Sequence, residues 1–212
     1  MMPNNSSIYI TKPVVNVQVL INSLLESFPM SRARTGQRFQ LMKDNQKMCF
    51  FLAQGFCNAK RNRDSLIVAR IRAPGAVGLN LFAPDISILF IQAGNDVEYL
   101  YLPLDTVLQH VEEHNLWKDV SYLLMYYAAE FQVYLQTNTS VPTYELVCNH
   151  LWVLSQETFE VRATTPAAQF ILDRTTLSRS SVMKILSELV RGGHIVINRG
   201  LLIEIKNLPQ SY

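Results

Sequence analysis

The feature that most constrains this chain is a change of hydrophobic period at Leu104. From about Phe39 to Pro103 the apolar residues come in short runs, MCFFLAQGF, SLIVARI, ISILFIQ and VEYLYLP, rich in β-branched and aromatic side chains. Gly55, Pro74-Gly75, Pro84-Asp85 and Gly94-Asn95-Asp96 punctuate them. Such runs read as strands, with turns where glycine and proline interrupt. The expectation is an all-β roll, barrel or sandwich, with the basic run Lys60-Arg61-Asn62-Arg63 in a solvated hairpin loop. From Leu104 the spacing is helical. Asp105 to His114 places Val107, Leu108 and Val111 on one face. Trp117 to Gln136 then carries Trp117, Val120, Leu124, Tyr127, Ala128, Phe131 and Leu135 at i, i+3, i+4, i+7 spacing.

That second helix also bears Leu123, Met125 and Tyr126 on its other faces. A helix apolar most of the way round is buried on more than one side. Either one flank packs on the β domain and the other on a second subunit, or the helix is a central core element of one chain. Residues 14–28 read as a short amphipathic helix ending near Pro29. Thr137 to Thr143 is polar, contains a proline and reads as a linker. It divides the chain into a domain over 1–137, with the long helix at about 115–136, and a domain over 138–212 that opens with a helix from Tyr144 to Leu154.

Composition excludes several classes. With 212 residues and 49% hydrophobic content the chain can bury a core and is not a disordered polymer. Cys49, Cys57 and Cys148 stand alone, which fits a reducing compartment and no disulfide framework. No basic segment precedes an apolar core near the N-terminus. The most apolar stretch, Val120 to Ala129, is too short to span a bilayer. A cytoplasmic protein without membrane attachment is expected. The net charge of +2 hides segregation. Residues 31–72 carry ten Lys+Arg and two Asp+Glu, a net of +8; residues 73–150 sum to −8 and residues 161–200 to +4. Pairing between the first two stretches is the favoured reading.

The stretch with most chemical content is 164–205. Thr165 before Pro166 reads as an N-cap for a short helix through Asp173. Thr175-Thr176-Leu177 makes a turn, and Ser178 caps a longer helix over 178–190. On it Val182, Ile185, Leu186 and Leu189 face inward, whereas Arg179, Ser180, Met183, Lys184 and Ser187 face outward. Gly192-Gly193 ends the helix. Strands His194–Asn198 and Leu201–Ile205 follow, joined at Arg199-Gly200. The result is a helix–turn–helix with a β-hairpin wing. A helix fits the major groove of duplex DNA, and its N-terminal residues meet base edges. Arg179 can give guanine a bidentate fork. Ser178, Ser180 and Ser181 are short phosphate donors at the helix N-terminus. Lys184 and Ser187 lie further along the exposed face, and Arg199 at the wing tip can reach the adjacent backbone.

This order of elements resembles the Crp/Fnr transcription regulators. Leu177-Ser178-Arg179-Ser180-Ser181-Val182 is similar to the opening of that superfamily's recognition helix, and Gly75-Ala76-Val77-Gly78 with Leu81-Phe82 loosely resembles its glycine motif. The stretch from Arg174 to Tyr212, with RTTLSRSSV, RGGHIVINRG and NLPQSY, looks closer still to enterobacterial IprA-like regulators. The resemblance implies an α+β chain: a cyclic-nucleotide-binding-like β-roll, a long connecting and dimerisation helix, and a C-terminal winged helix-turn-helix. It implies a homodimer on double-stranded DNA, with RNA polymerase a further candidate partner, and it hints at stress-linked control. The departures are specific. Leu79-Asn80 stand where cyclic-nucleotide-binding members place Glu, and residues 83–91 contain no Arg to hold a cyclic phosphate. Cyclic AMP is therefore not expected. No cysteine precedes Cys49, which argues against an N-terminal iron–sulfur cluster. Cys49 and Cys57 are candidate redox sensors, with small core residues the commoner role.

No catalytic constellation stands out. His110 and His114 share a helical face near Glu113, but VLQHVEEHNLW lacks the HExxH order, and a solvated face is expected. His194, at the wing entrance, reads as structural. A non-enzyme without cofactor or metal is expected, and the residues name no ligand for the β-roll. The competing reading is a protein-interaction module with a degenerate sensor domain.

Overall fold

In β4 (Gln46–Gln54) five consecutive residues, Met48 to Leu52, are buried, which happens only when a strand has packing on both faces. The computed structural model describes residues 10–79 and 88–209. Leu81-Phe82 of the glycine motif, the arginine-free residues 83–87 and the last three residues lie outside them. Two compact units divide the described chain, Ile10–Glu130 and the part from Phe131 onward.

The first unit begins with α1 (Val14–Ser27), followed by β1 (Ser31–Arg32), β2 (Arg38–Gln40) and β3 (Met42–Lys43). After β4 come β5 (Phe56–Arg61), β6 (Ile67–Arg72), β7 (Gly75–Val77), β8 (Leu89–Ala93) and β9 (Glu98–Pro103). Helix α2 (Leu104–Glu113) follows, and then α3 (Trp117–Asn138), in which the boundary between the two units falls after Glu130. One sheet has the order β1-β9-β4-β3, with β7 also on β4; the other has the order β2-β8-β5-β6. All pairings are antiparallel. Between the sheets lie Phe39, Phe50, Leu52, Cys57, Ile91 and Val97, with the Phe39 ring 4.8 Å from Phe50 and 4.6 Å from Tyr99. The alternate residues Cys49 and Phe51 join a second core with Leu20, Ile21 and Leu24 of α1, Val107 and Val111 of α2, and Val120 and Leu123 of α3. Where β7 ends, Gly78 has φ +110°, and a β-carbon there would overlap the Met48 carbonyl oxygen. Only glycine fits that approach.

The second unit contains α4 (Thr143–Ser155), α5 (Phe159–Thr164), α6 (Ala167–Leu172), α7 (Arg179–Arg191), β10 (Ile195–Asn198) and β11 (Leu201–Ile205). Val147, Leu151, Phe170, Val182, Leu186 and Leu202 are among the residues of its own core.

Several expectations are corrected. Lys60 and Arg61 end β5, so the loop begins at Asn62. Thr165 is not the cap of α6: its amide bonds back to Val161 of α5, a helix the sequence reading missed, and Pro166 takes the N-cap position. The linker is shorter than expected, because Thr137 and Asn138 satisfy the Val133 and Tyr134 carbonyls with their own side chains and prolong α3. On α3 itself Val120 and Leu123 are buried and Leu124, Tyr126 and Tyr127 pack on the core, but Met125 is 58% and Phe131 60% exposed. Trp117 is also exposed and donates to Glu112. Among the described residues the helix is covered along one stripe, so it is not a central core element of one chain. His110 is not on a solvated face. It is 5% exposed, hydrogen-bonded to Ser23 of α1 at 2.8 Å, stacked on His114 and edge-on to Phe28. Burial and the adjacent His114 lower its pKa.

Candidate nucleic-acid interface

Helix α7 starts where the Ser178 hydroxyl oxygen accepts the Ser181 amide at 3.1 Å, the expected N-cap. The Ser178 hydroxyl also bonds to the Ser180 and Ser181 hydroxyls, at 2.9 and 2.8 Å. Ser178 thus builds the helix start, while the three hydroxyls form one cluster at its N-terminus. Val182, Leu186 and Leu189 are buried and Ile185 is partly so; Arg179, Ser180, Met183, Lys184 and Ser187 are exposed. The split follows the 3.6-residue period, which turns one stripe to the core. At the other end Gly193 adopts φ +71°, and the His194 amide returns to the Leu189 carbonyl at 2.9 Å.

The turn before α7 is fixed by buried groups. Thr175 donates to the Ile171 carbonyl at 2.9 Å. The Arg174 guanidinium lies 3.5 Å over the Phe170 ring and donates to the Phe170 carbonyl at 3.1 Å. Arg174 is therefore an internal brace, whereas Arg179 is free-standing at the surface. The wing is a two-residue hairpin in which Asn198 pairs with Leu201. Its central residues Arg199 and Gly200 have φ +48° and +84°, the arrangement that matches strand twist in such hairpins. The Gly200 carbonyl accepts from the Ala167 amide at 2.8 Å, which ties the wing tip to the start of α6. Arg199 is exposed. Helix α7 and the wing tip are thus carried by one packed unit, with Arg179, Ser180, Ser181, Lys184, Ser187 and Arg199 arrayed on it; the sequence reading had named each of them.

That reading missed His150. It is 8% exposed on α4, and neither ring nitrogen has a hydrogen-bond partner among the described residues. Burial, reinforced by the Arg174 charge, pushes its pKa from 6.5 down to about 4. Between those values the unfolded chain binds a proton that the folded chain refuses. The stabilisation is complete above about pH 6.5 and is lost as pH falls toward 4. The unit should lose about 2 kcal/mol between pH 7 and pH 5. Urea unfolding at the two pH values checks this, and His150→Leu should flatten the dependence. Equal pH dependence in both proteins contradicts it.

Cys49 and Cys57 are fully buried, and burial pushes both thiols up to about 12. That environment suits core packing rather than thiolate chemistry. Among the described residues no group of three His, Cys, Asp or Glu stands close enough to hold a metal ion. No helix among them is long and apolar enough to cross a membrane.

Comparison with known proteins agrees with this geometry. Residues 143–210 match the family described as winged helix-turn-helix DNA binding. The inhibitor of hydrogen peroxide resistance from Escherichia coli K12 is 27% identical over 191 residues, covering 85% of this chain and 91% of that protein. Among solved structures, the c-di-GMP responsive global regulator CLP of Xanthomonas campestris matches with a TM-score of 0.66 at 15% identity, over 90% of this chain and 100% of that one. A Crp/Fnr-family transcriptional regulator from Thermus thermophilus matches with a TM-score of 0.55 at 17% identity, over 82% and 93%. The chain shares the fold of these solved structures, and its residues 143–210 are similar to the winged helix-turn-helix DNA-binding family.

Proposed function

We propose that the protein is a cytoplasmic transcription regulator, not an enzyme, that acts as a homodimer and reads a two-fold related DNA site with α7 of each copy. The observation that carries this reading is the division of α7. Its apolar stripe is consumed by the core, and its N-terminal turns leave Arg179, Ser180, Lys184 and Ser187 in solvent. Arg179 is the proposed base reader, and Lys184 with the serine hydroxyls the proposed phosphate contacts. Arg199 supports the wing's part. A left-handed arginine costs about 1 kcal/mol relative to a glycine there, a strain more readily kept when the side chain has work to do. The apolar residues exposed on α3, Met125 and Phe131 among them, support a helix-to-helix contact between copies. Two such heads would enter successive major grooves about 34 Å apart.

Cyclic AMP is not the expected effector, because the chain has Leu79-Asn80 after Gly78 and no Arg over 83–91. The likeness to a protein named for hydrogen peroxide resistance supports a role in stress control. The test is a fluorescence titration of the full chain on duplex DNA as salt is raised. Affinity should fall steeply with salt, and Lys184→Ala should reduce the slope of log affinity against log salt by about 1. Salt-independent or absent binding would leave the winged helix as a protein-contact module. An unchanged slope removes Lys184 from the phosphate contacts.

A further inference from the structure

In the second unit α5 lies against β11 without fully burying any of its side chains, and a cleft opens between them. Its walls are Trp152 and Ser155 at the end of α4, Arg162 of α5, and Leu202, Ile203 and Glu204 of β11. The volume is about 300 Å³, at the small end of ligand sites and room for a molecule the size of an amino acid. The cleft is open to solvent: Trp152 is 43% and Ile203 56% exposed, and Glu204 is exposed as well. All of these residues belong to one compact unit.

The Arg162 Nε is buried and has no hydrogen-bond partner among the described residues. A buried donor left unpaired is costly and rare in folded proteins, so this one calls for an acceptor from outside the chain. The ion pairs among the described residues involve Arg32, Arg61 and Arg63, and neither Arg162 nor Glu204 takes part in them. An arginine whose Nε is unused can take a carboxylate in two parallel bonds. A ligand that is only an anion would meet the Glu204 charge, and one that is only a cation would meet Arg162; a zwitterion suits both. The half-exposed Trp152 and Ile203 supply apolar surface for the rest of the molecule.

We infer that this cleft binds a free amino acid with an apolar side chain. Arg162 takes its carboxylate, Glu204 its ammonium group, and its side chain rests on Trp152 and Ile203. Neither charged residue is among the groups proposed to touch DNA, so the site stands or falls apart from that reading. An occupant would join α5 to β11, the second strand of the wing.

The experiment follows Trp152 emission in the full chain carrying Trp117→Phe, which removes the other tryptophan. L-Phenylalanine, with excitation confined to the indole, should change that emission saturably, with a dissociation constant of about 1 mM or tighter. Phenethylamine lacks the carboxylate and 3-phenylpropionate lacks the ammonium group; each should bind at least about ten-fold more weakly. Arg162→Gln should weaken L-phenylalanine binding about ten-fold, and Arg162→Lys should recover part of it. Glu204→Gln should weaken L-phenylalanine but strengthen 3-phenylpropionate, an exchange of preference that a merely structural change would not produce. Circular dichroism melting of each variant should match the parent. No saturable change up to about 20 mM L-phenylalanine overturns the site, as does phenethylamine binding as tightly as L-phenylalanine. Unchanged affinity in a fully folded Arg162→Gln protein overturns it too. Should Arg162→Gln melt well below the parent, the exposed Glu204 decides: without the exchange of preference in Glu204→Gln, the assignment is wrong.

Discussion

Arg179→Ala should weaken binding to the preferred DNA site by about 1–3 kcal/mol and relax preference at one base position per half-site. The argument is geometric. Arg179 is the first residue of α7, exposed, one residue past a cap that fixes the helix start. Helix N-termini are the parts of a recognition helix that meet base edges, and a bidentate arginine–guanine contact is worth about that much discrimination. The neighbouring Ser178–Ser180–Ser181 cluster holds the backbone without using the Arg179 side chain. Stability should therefore be unchanged. Competition between a selected site and random duplex is the measurement. An equal loss on both sequences would mean that Arg179 only touches phosphate.

Phe170→Ala should cost the second unit about 3–5 kcal/mol, the range for truncating a buried aromatic. Phe170 is fully buried at the junction of α4, α6 and α7, among the largest enclosed side chains of the chain. The loss reaches beyond packing. Arg174 rests on the Phe170 ring and acts electrostatically on the buried His150, so removing the ring strips a charged brace of its support. Domains are stable by only about 5–15 kcal/mol, so this is a large fraction. Urea unfolding should show a lower midpoint, and DNA affinity should fall with the folded population. A cost below about 1 kcal/mol would show that the helix–turn–helix closes without this ring.

How much of this was legible beforehand depended on the range of the interaction. The Ser178 cap, the α7 stripe, the Gly192-Gly193 stop and the Arg199-Gly200 turn are each decided within a few residues, and all are where the sequence reading put them. Helix α5 was missed because its six residues bury none of their side chains and carry no usable period. Strands β1, β2 and β3 are two or three residues long and exist through their partners β9, β8 and β4. The placing of His110 failed for a similar reason. Its own helix face could not reveal that Ser23 and Phe28, more than eighty residues earlier, cover it.

The sequence by itself determined the two-part order of strands and helices, the helix–turn–helix with its wing, and the residues displayed on α7 and the wing tip. Periodicity, capping and turn chemistry act over three or four residues, and so can be read along the chain. The tertiary structure alone decided which stripe of α3 is covered and that His150 is buried with no hydrogen-bond partner among the described residues. Sheet register and core closure join residues by spatial pairing, whatever their separation along the chain.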